Sequence, residues 1–267
     1  MVEPVTTIGT AAVAAYLSKD GVAKLLGPTA EYLGGELKQL VERSQSNVVR
    51  IFRFAERKAE AKLEAPGAVN SRVFKHVYDE ARFCENELLA EYFGGVLASA
   101  RTDAGQDDRG VYYAQMVQSL SAYQLQCHYF FYYLMWQLGK GRTLELNSYL
   151  DRAKLSIVIP AKVYEDTFRV TPSAQEITII AHSLSGLARS NLIDNSFQFS
   201  SSEELKKQGI NVDSQAFLIE PTISGIELFV WAHGKGEDLL NSFLSPGLIA
   251  KPDLEVKSHE LVRLKNG

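Results

Sequence analysis

The chain is short of cysteine, of net charge and of long apolar runs, and each shortage closes a class of reading. Cys84 and Cys127 are its two cysteines in 267 residues. Neither has a histidine at ligand spacing, so they do not make a tetrahedral zinc site unaided. As buried thiols they fit a reducing, cytoplasmic setting, where disulfides are rare. Lysine and arginine number 28 against 32 acids, for a net charge of −4. That balance excludes a bulk basic field for holding phosphate backbones, and any nucleic-acid contact has to be local. The apolar runs Ile8–Leu17 (IGTAAVAAYL) and Tyr129–Trp136 (YFFYYLMW) fall short of the ~20 residues that a membrane span needs. The first of these follows Glu3 with no lysine or arginine before it, which is the wrong flank for a secretory signal.

What is present is ordinary globular material: 46% hydrophobic and 22% charged residues, enough to bury a core and too apolar for wholesale disorder. The length suits two domains. After Gly27-Pro28, no proline interrupts the chain until Pro66. Leu37, Val41, Ser44, Val48, Ile51 and Ala55 recur at alternating steps of four and three, which predicts a long amphipathic helix over about 29–64. Further helices are expected over 71–83, 86–101 and 111–120. Gly94-Gly95 inside the helix expected over 86–101 calls for close packing against its backbone. Ser121 and Gln124 form a capping box that opens a fifth helix, and its apolar run marks it as the most buried helix of the bundle.

Beyond Gly139 the texture changes. Leu155–Pro160 (LSIVIP) is rich in β-branched residues and reads as strand. A helix is expected from about 171 to 190, then short strands over 195–200 and 216–220, with a capped helix after Ser201 between them, and a last helix over 222–233. This order resembles a winged helix with an enlarged wing. The expected fold class is therefore mainly α: an N-terminal helical bundle over 1–140, a smaller α+β winged-helix-like domain over 141–245, and a tail over 246–267 that is either a loosely attached edge strand or disordered.

The segments LGPTAEYLGGELK (Leu26–Lys38), ELLAEYFGGVLASA (Glu87–Ala100) and YYAQMVQSLSAYQ (Tyr112–Gln124), in this order, resemble the abortive-infection protein alpha family of bacterial phage-resistance proteins, over about 26–134. Gln124 stands where members carry an acid or its amide after a Leu-Ser step. Gly110-Val111 replaces the histidine that members tend to carry before the fourth helix. The resemblance implies a defence role and carries no catalytic residues to transfer.

No catalytic, cofactor or metal site is expected. His182-Ser183-Leu184-Ser185-Gly186 half resembles a nucleophile elbow but lacks the first glycine and a preceding strand. Gly139–Arg142 lacks the spacing of a phosphate loop. The five histidines are scattered, and Asp103, Asp107 and Asp108 lack calcium-loop spacing. The candidate interaction face is Arg50, Arg53, Arg57 and Lys62 on the long helix, interleaved with Glu56, Glu60 and Glu64 and so open to reading as a solvated, salt-bridged face. Arg189 is the candidate nucleic-acid contact. The expected function is phage defence through a protein partner, from phage or host, or through self-association. The alternatives are a DNA-binding winged-helix regulator and a membrane-active effector using Ile8–Leu26.

Overall fold

In a computed structural model the protein is described over residues 34–81, 84–249 and 253–265. It is mainly helical and divides into two compact units. Among the described residues, unit 1 comprises the chain up to Ser119 together with Val230–Asp238, and unit 2 comprises Leu120–Phe229 and the chain from Leu239 onward.

Unit 1 begins with helix α1 (Gly34–Ala59), which tightens into a 3-10 turn over Glu60–Glu64. Val48, Ile51 and Ala55 of the predicted stripe are each at most 1% exposed. Strand β1 (Ala68–Val69), helices α2 (Ser71–Ala81) and α3 (Glu87–Ser99), strand β2 (Arg101–Thr102) and helix α4 (Gly110–Ser119) follow. β1 and β2 form a two-stranded antiparallel ladder. Asn86 caps α3 by accepting from Leu89 N at 3.0 Å, as short polar residues do where the first amides lack partners. The paired glycines of α3 are where backbone comes close: a Cβ on Gly94 would sit 2.9 Å from Ala55 N, and one on Gly95 would sit 1.9 Å from Ala232 O.

Unit 2 opens with helix α5 (Ala122–Gly139), whose capping box is formed as read: Gln124 N donates to Ser121 Oγ at 3.2 Å and Ser121 N to Gln124 Oε1 at 2.9 Å. Helix α6 (Tyr149–Arg152), strand β3 (Ile157–Pro160), and helices α7 (Ala161–Phe168) and α8 (Ala174–Arg189) come next. Strand β4 (Gln198–Ser200), helix α9 (Ser202–Lys207), strand β5 (Ala216–Ile219), helix α10 (Ile223–Ala232) and strand β6 (Arg263–Leu264) complete the unit, except that Val230–Ala232 of α10 belong to unit 1. The sheet is antiparallel throughout, in the order β4-β5-β3-β6, with Val158 opposite Leu218 and Phe199 opposite Phe217. The excursion between β4 and β5 closes a small core of its own, in which Leu205, Ile210 and Val212 join Val158, Ala216 and Leu218.

The division differs from the expected break near Gly139. It falls at Leu120, because the aromatic run of α5 packs on the later elements: Phe130 lies 5.5 Å from Phe168, Phe131 lies 6.0 Å from Phe217, and Tyr132 lies 6.0 Å from Phe229 between ring centroids. α5, expected to be the most buried helix, thus belongs to unit 2, but α3 is the more fully buried, with 11 of its 13 residues buried against 12 of 18 in α5; the N-terminal unit is completed by a segment from far along the chain. Of the two alternatives for the residues after Pro246, the structure has the edge strand, β6, at the end of the sheet. β6 pairs with Ile157 and Val158, and Asp253 N donates to the Tyr129 hydroxyl at 2.9 Å. Sequence periodicity missed α7, which is only eight residues long and therefore too short to show more than two helical turns.

Candidate functional site

The predicted basic face of α1 lies within unit 1, and most of its charge is engaged there. The Arg50 guanidinium donates to Asn47 Oδ1 at 3.2 Å and to the Cys84 carbonyl. Arg57 Nη2 lies 2.6 Å from both carboxylate oxygens of Glu91. Lys62 Nζ lies 2.9 Å from Glu237 Oε1 and donates to Gly234 O at 3.1 Å. Arg53 is exposed. The sequence reading missed the residue that organises this region, Lys58. Its ammonium is 2.9 Å from Glu91 Oε2 and donates to Ala232 O at 2.9 Å. Glu91 is the one acid in the otherwise apolar stretch LLAEYFGG, and that isolation was the available signal, since a buried charge requires a partner.

Cations close helix ends throughout this unit. Lys58 serves the last carbonyl of α10, while Arg101, 4% exposed, donates to Lys62 O at 2.5 Å and to Ala65 O at 2.7 Å. Terminal carbonyls have no intrahelical partners and carry the negative end of the helix dipole, so positive groups belong there. Lys62, Arg101, Asp103 and Glu237 line an open cleft of about 420 Å³. Two cations and two acids balance around it, and burial lowers the pKa of Arg101. The acidic loop is likewise paired. Asp107 meets Arg109 at 2.6 Å and Asp108 meets Arg72. The hydrogen bond from Arg109 holds the Asp107 carboxyl below the usual carboxylate range. Among the described residues no group of three acids, histidines or cysteines could hold a metal ion.

In unit 2 the exposed feature is the outer face of α8. Ser173 caps the helix, with Glu176 N donating to its Oγ at 3.1 Å. Ile180, Leu184 and Leu187 face inward, and Gly186 lies so close to Gln124 that a Cβ would sit 1.8 Å from its Nε2. Outward along i, i+4 steps stand Ile177, Thr178, Ala181, His182, Ser185 and Arg189, all exposed. Arg189, the predicted nucleic-acid contact, is the only lysine or arginine in the helix. Ser183 of the apparent nucleophile elbow is fully buried in mid-helix, and its hydroxyl donates to Ile179 O at 2.8 Å. A back-bonded helical serine is structural.

The thiols are equally withdrawn. Burial pushes Cys84 up to about 11 and Cys127 up to about 12, which leaves both as unreactive thiols near neutral pH. His128 is fully buried, its Nε2 3.1 Å from Gly225 O and its ring 4.6 Å from that of Tyr132. Gly141, at φ +80°, closes the turn after α5, and Lys140 lies 4.7 Å over the Trp136 ring. This is a helix terminus, and no strand precedes it as a phosphate loop requires. The Ile8–Leu26 segment, considered for membrane contact, lies outside the described residues, and no described helix is long and apolar enough to cross a membrane.

Comparison with protein families, with curated proteins and with solved structures finds no match to this chain.

Proposed function

We propose that the chain is a phage-defence factor of the abortive-infection alpha type that acts by binding a protein partner through the outer face of α8. The defence role rests on the three resembling segments between Leu26 and Gln124. The mode of action rests on the composition of that face: Ile177, 56% exposed, leads a stripe of Thr178, Ala181, His182 and Ser185 in which Arg189 is the one lysine or arginine. Exposed apolar groups on a rigid element suit protein contact, whereas a nucleic-acid-reading helix needs several cations or amides at this spacing. Unit 2 is read as a winged helix, with α7 and α8 between β3 and β4 and the α9 excursion as its wing. The strand order β4-β5-β3 supports that reading.

The test is phage plaquing on cells carrying the intact chain or Ala181→Glu, which places a charge in the stripe at an exposed position. Protection lost by Ala181→Glu at unchanged thermal stability supports the proposal. Protection retained removes the α8 face from it, and no protection by the intact chain across a broad phage panel removes the defence role. The same strand order favours a second reading, DNA binding, which predicts salt-dependent retention on duplex DNA that weakens on Arg189→Ala. Absence of retention at low salt ends that reading.

A further inference from the structure

The four-stranded sheet of unit 2 ends in two unlike edges. At one end β6 is two residues long, and Arg263 and Lys265 stand exposed on it, which is how natural sheets blunt an edge against further pairing. At the other end β4 carries no such guard. The stretch Asn195–Ser202 (NSFQFSSS) holds no charged residue and no proline, and every residue in it is at least partly open to solvent. Hydrogen-bond alternation fixes which of its backbone groups face outward. Ala161 N donates to Gln215 O at 2.8 Å in the register of β3 on β5, and Asp194 N donates to Glu220 O at 3.0 Å. In an antiparallel ladder the bonded side changes with each residue, so Phe217 turns its N–H and C=O to β3, while Ala216 and Leu218 turn theirs to β4. Ser200 and Gln198, opposite those two, therefore bond β5. Phe199 between them sends both its N–H and its C=O away from the sheet. Ser201, extended at φ −63° and ψ 158°, presents its N–H on the same side, as Phe197 does its C=O. The other groups of these two flanking residues are already bonded, Phe197 N to Asp194 O and Ser201 O to Leu205 N, both at 3.2 Å. Stacking on Phe217, 4.3 Å between centroids, holds the Phe199 ring.

We propose that β4 pairs antiparallel with β4 of a second copy of this chain, about a two-fold axis at Phe199, joining two four-stranded sheets into one. Phe199 of each copy donates to and accepts from Phe199 of the other, and Ser201 N of each donates to Phe197 O of the other. The outward groups of residues 197–201 are then each used once. Any extended strand meets an edge backbone to backbone; the second copy is the favoured occupant because the order of donors and acceptors along this edge reads the same after the two-fold. A two-fold interface requires such a self-complementary patch. The neutral stretch also brings no like charges together where Gln198 of one copy faces Ser200 of the other.

This joint lies apart from the α8 face and does not rest on it. Sedimentation equilibrium of the full chain is the first test. Two short strands make a small interface, so a reversible dimer with a Kd of about 0.1 mM is expected. Ser200→Lys, at a half-buried position, brings into the joint the residue that guards natural edges and should raise Kd about tenfold or more, while Ala181→Glu leaves it unchanged. Cross-linking by diamide reads the register. With Phe199 on the axis, Gln198 of one copy and Ser200 of the other have Cα atoms about 4.5 Å apart, within disulfide reach. Gln198 lies about 8 Å from its own counterpart, outside that reach. A mixture of Gln198→Cys and Ser200→Cys chains should therefore give a disulfide dimer that neither chain gives alone, since Cys84 and Cys127 are buried and stay out of the reaction. A chain that remains monomeric up to ~1 mM leaves the edge to a foreign strand and overturns the proposal. So does a dimer that survives Ser200→Lys, one dissolved by Ala181→Glu, or cross-linking by either single variant alone that equals the mixture.

Discussion

In unit 1 the polar interior is ionic, with Lys58 and Glu91 at 7% and 5% side-chain exposure and 2.9 Å apart. In unit 2 it consists largely of hydroxyls and amides, such as Tyr132, Thr222 and Gln124, set among the rings of Phe130, Phe131, Phe217 and Phe229. The two solutions fail differently. An ion pair removed from water is costly to make and costlier to halve, because the surviving charge has nowhere to go. An aromatic core loses transfer energy and gains a cavity in proportion to what is deleted. Each unit also holds one cysteine, Cys84 in the first and Cys127 in the second, both buried and protonated. Thiol labelling under increasing denaturant therefore reads the two units separately.

The largest effects should be reciprocal. Glu91→Ala strands Lys58 and is expected to cost about 3–5 kcal/mol, exposing Cys84 at lower denaturant while the Cys127 midpoint holds. Phe130→Ala should cost a similar ~3–5 kcal/mol and expose Cys127 first. If either substitution moved both midpoints together, the units would unfold as one body and the contrast would be lost. A middle-sized effect sharpens the contrast: Tyr132→Phe leaves Leu192 O and Thr222 N unpaired at a cost of about 1–3 kcal/mol, again confined to Cys127. The smallest concerns pH. Asp107 has a folded pKa below its unfolded one, so its contribution is present above the unfolded value and is lost as pH falls through the folded one, below about pH 4. Arg109 is 62% exposed, so screening keeps this contribution to about 0.5 kcal/mol or less. Asp107→Asn should shift the acid-unfolding midpoint of unit 1 slightly upward at most.

Local chemistry was the legible part of the sequence. The Ser121 capping box and the buried stripe of Val48, Ile51 and Ala55 stand where spacing placed them, because each depends on residues within a turn or two. The paired glycines of α3 announced a close approach without naming the approaching backbone. Ala232 O stands against Gly95, and a partner so distant in the chain leaves no local trace. The same limit explains the misplaced boundary. The run YFFYYLMW is apolar whichever unit it fills, and only its packing against Phe217 and Phe229 assigns it. For the candidate sites, charge spacing singled out the basic face of α1 and could not show that Glu91 and Glu237 neutralise much of it.

The return of Val230–Asp238 to unit 1 has a consequence for the order of events on the ribosome. Trp231 stacks on Tyr113 at 4.4 Å, Gly236 N donates to Ser99 Oγ at 2.9 Å, and Lys58 closes on Ala232 O. The first unit to be synthesised therefore lacks its last pieces until all of Leu120–Phe229 has emerged, a delay of about ten seconds at common elongation rates. During that interval the nascent chain holds Glu91 and Lys58 in an unfinished site, the stage at which a holdase chaperone would find it. A single recombination crossover would likewise be unable to pass on unit 1 whole.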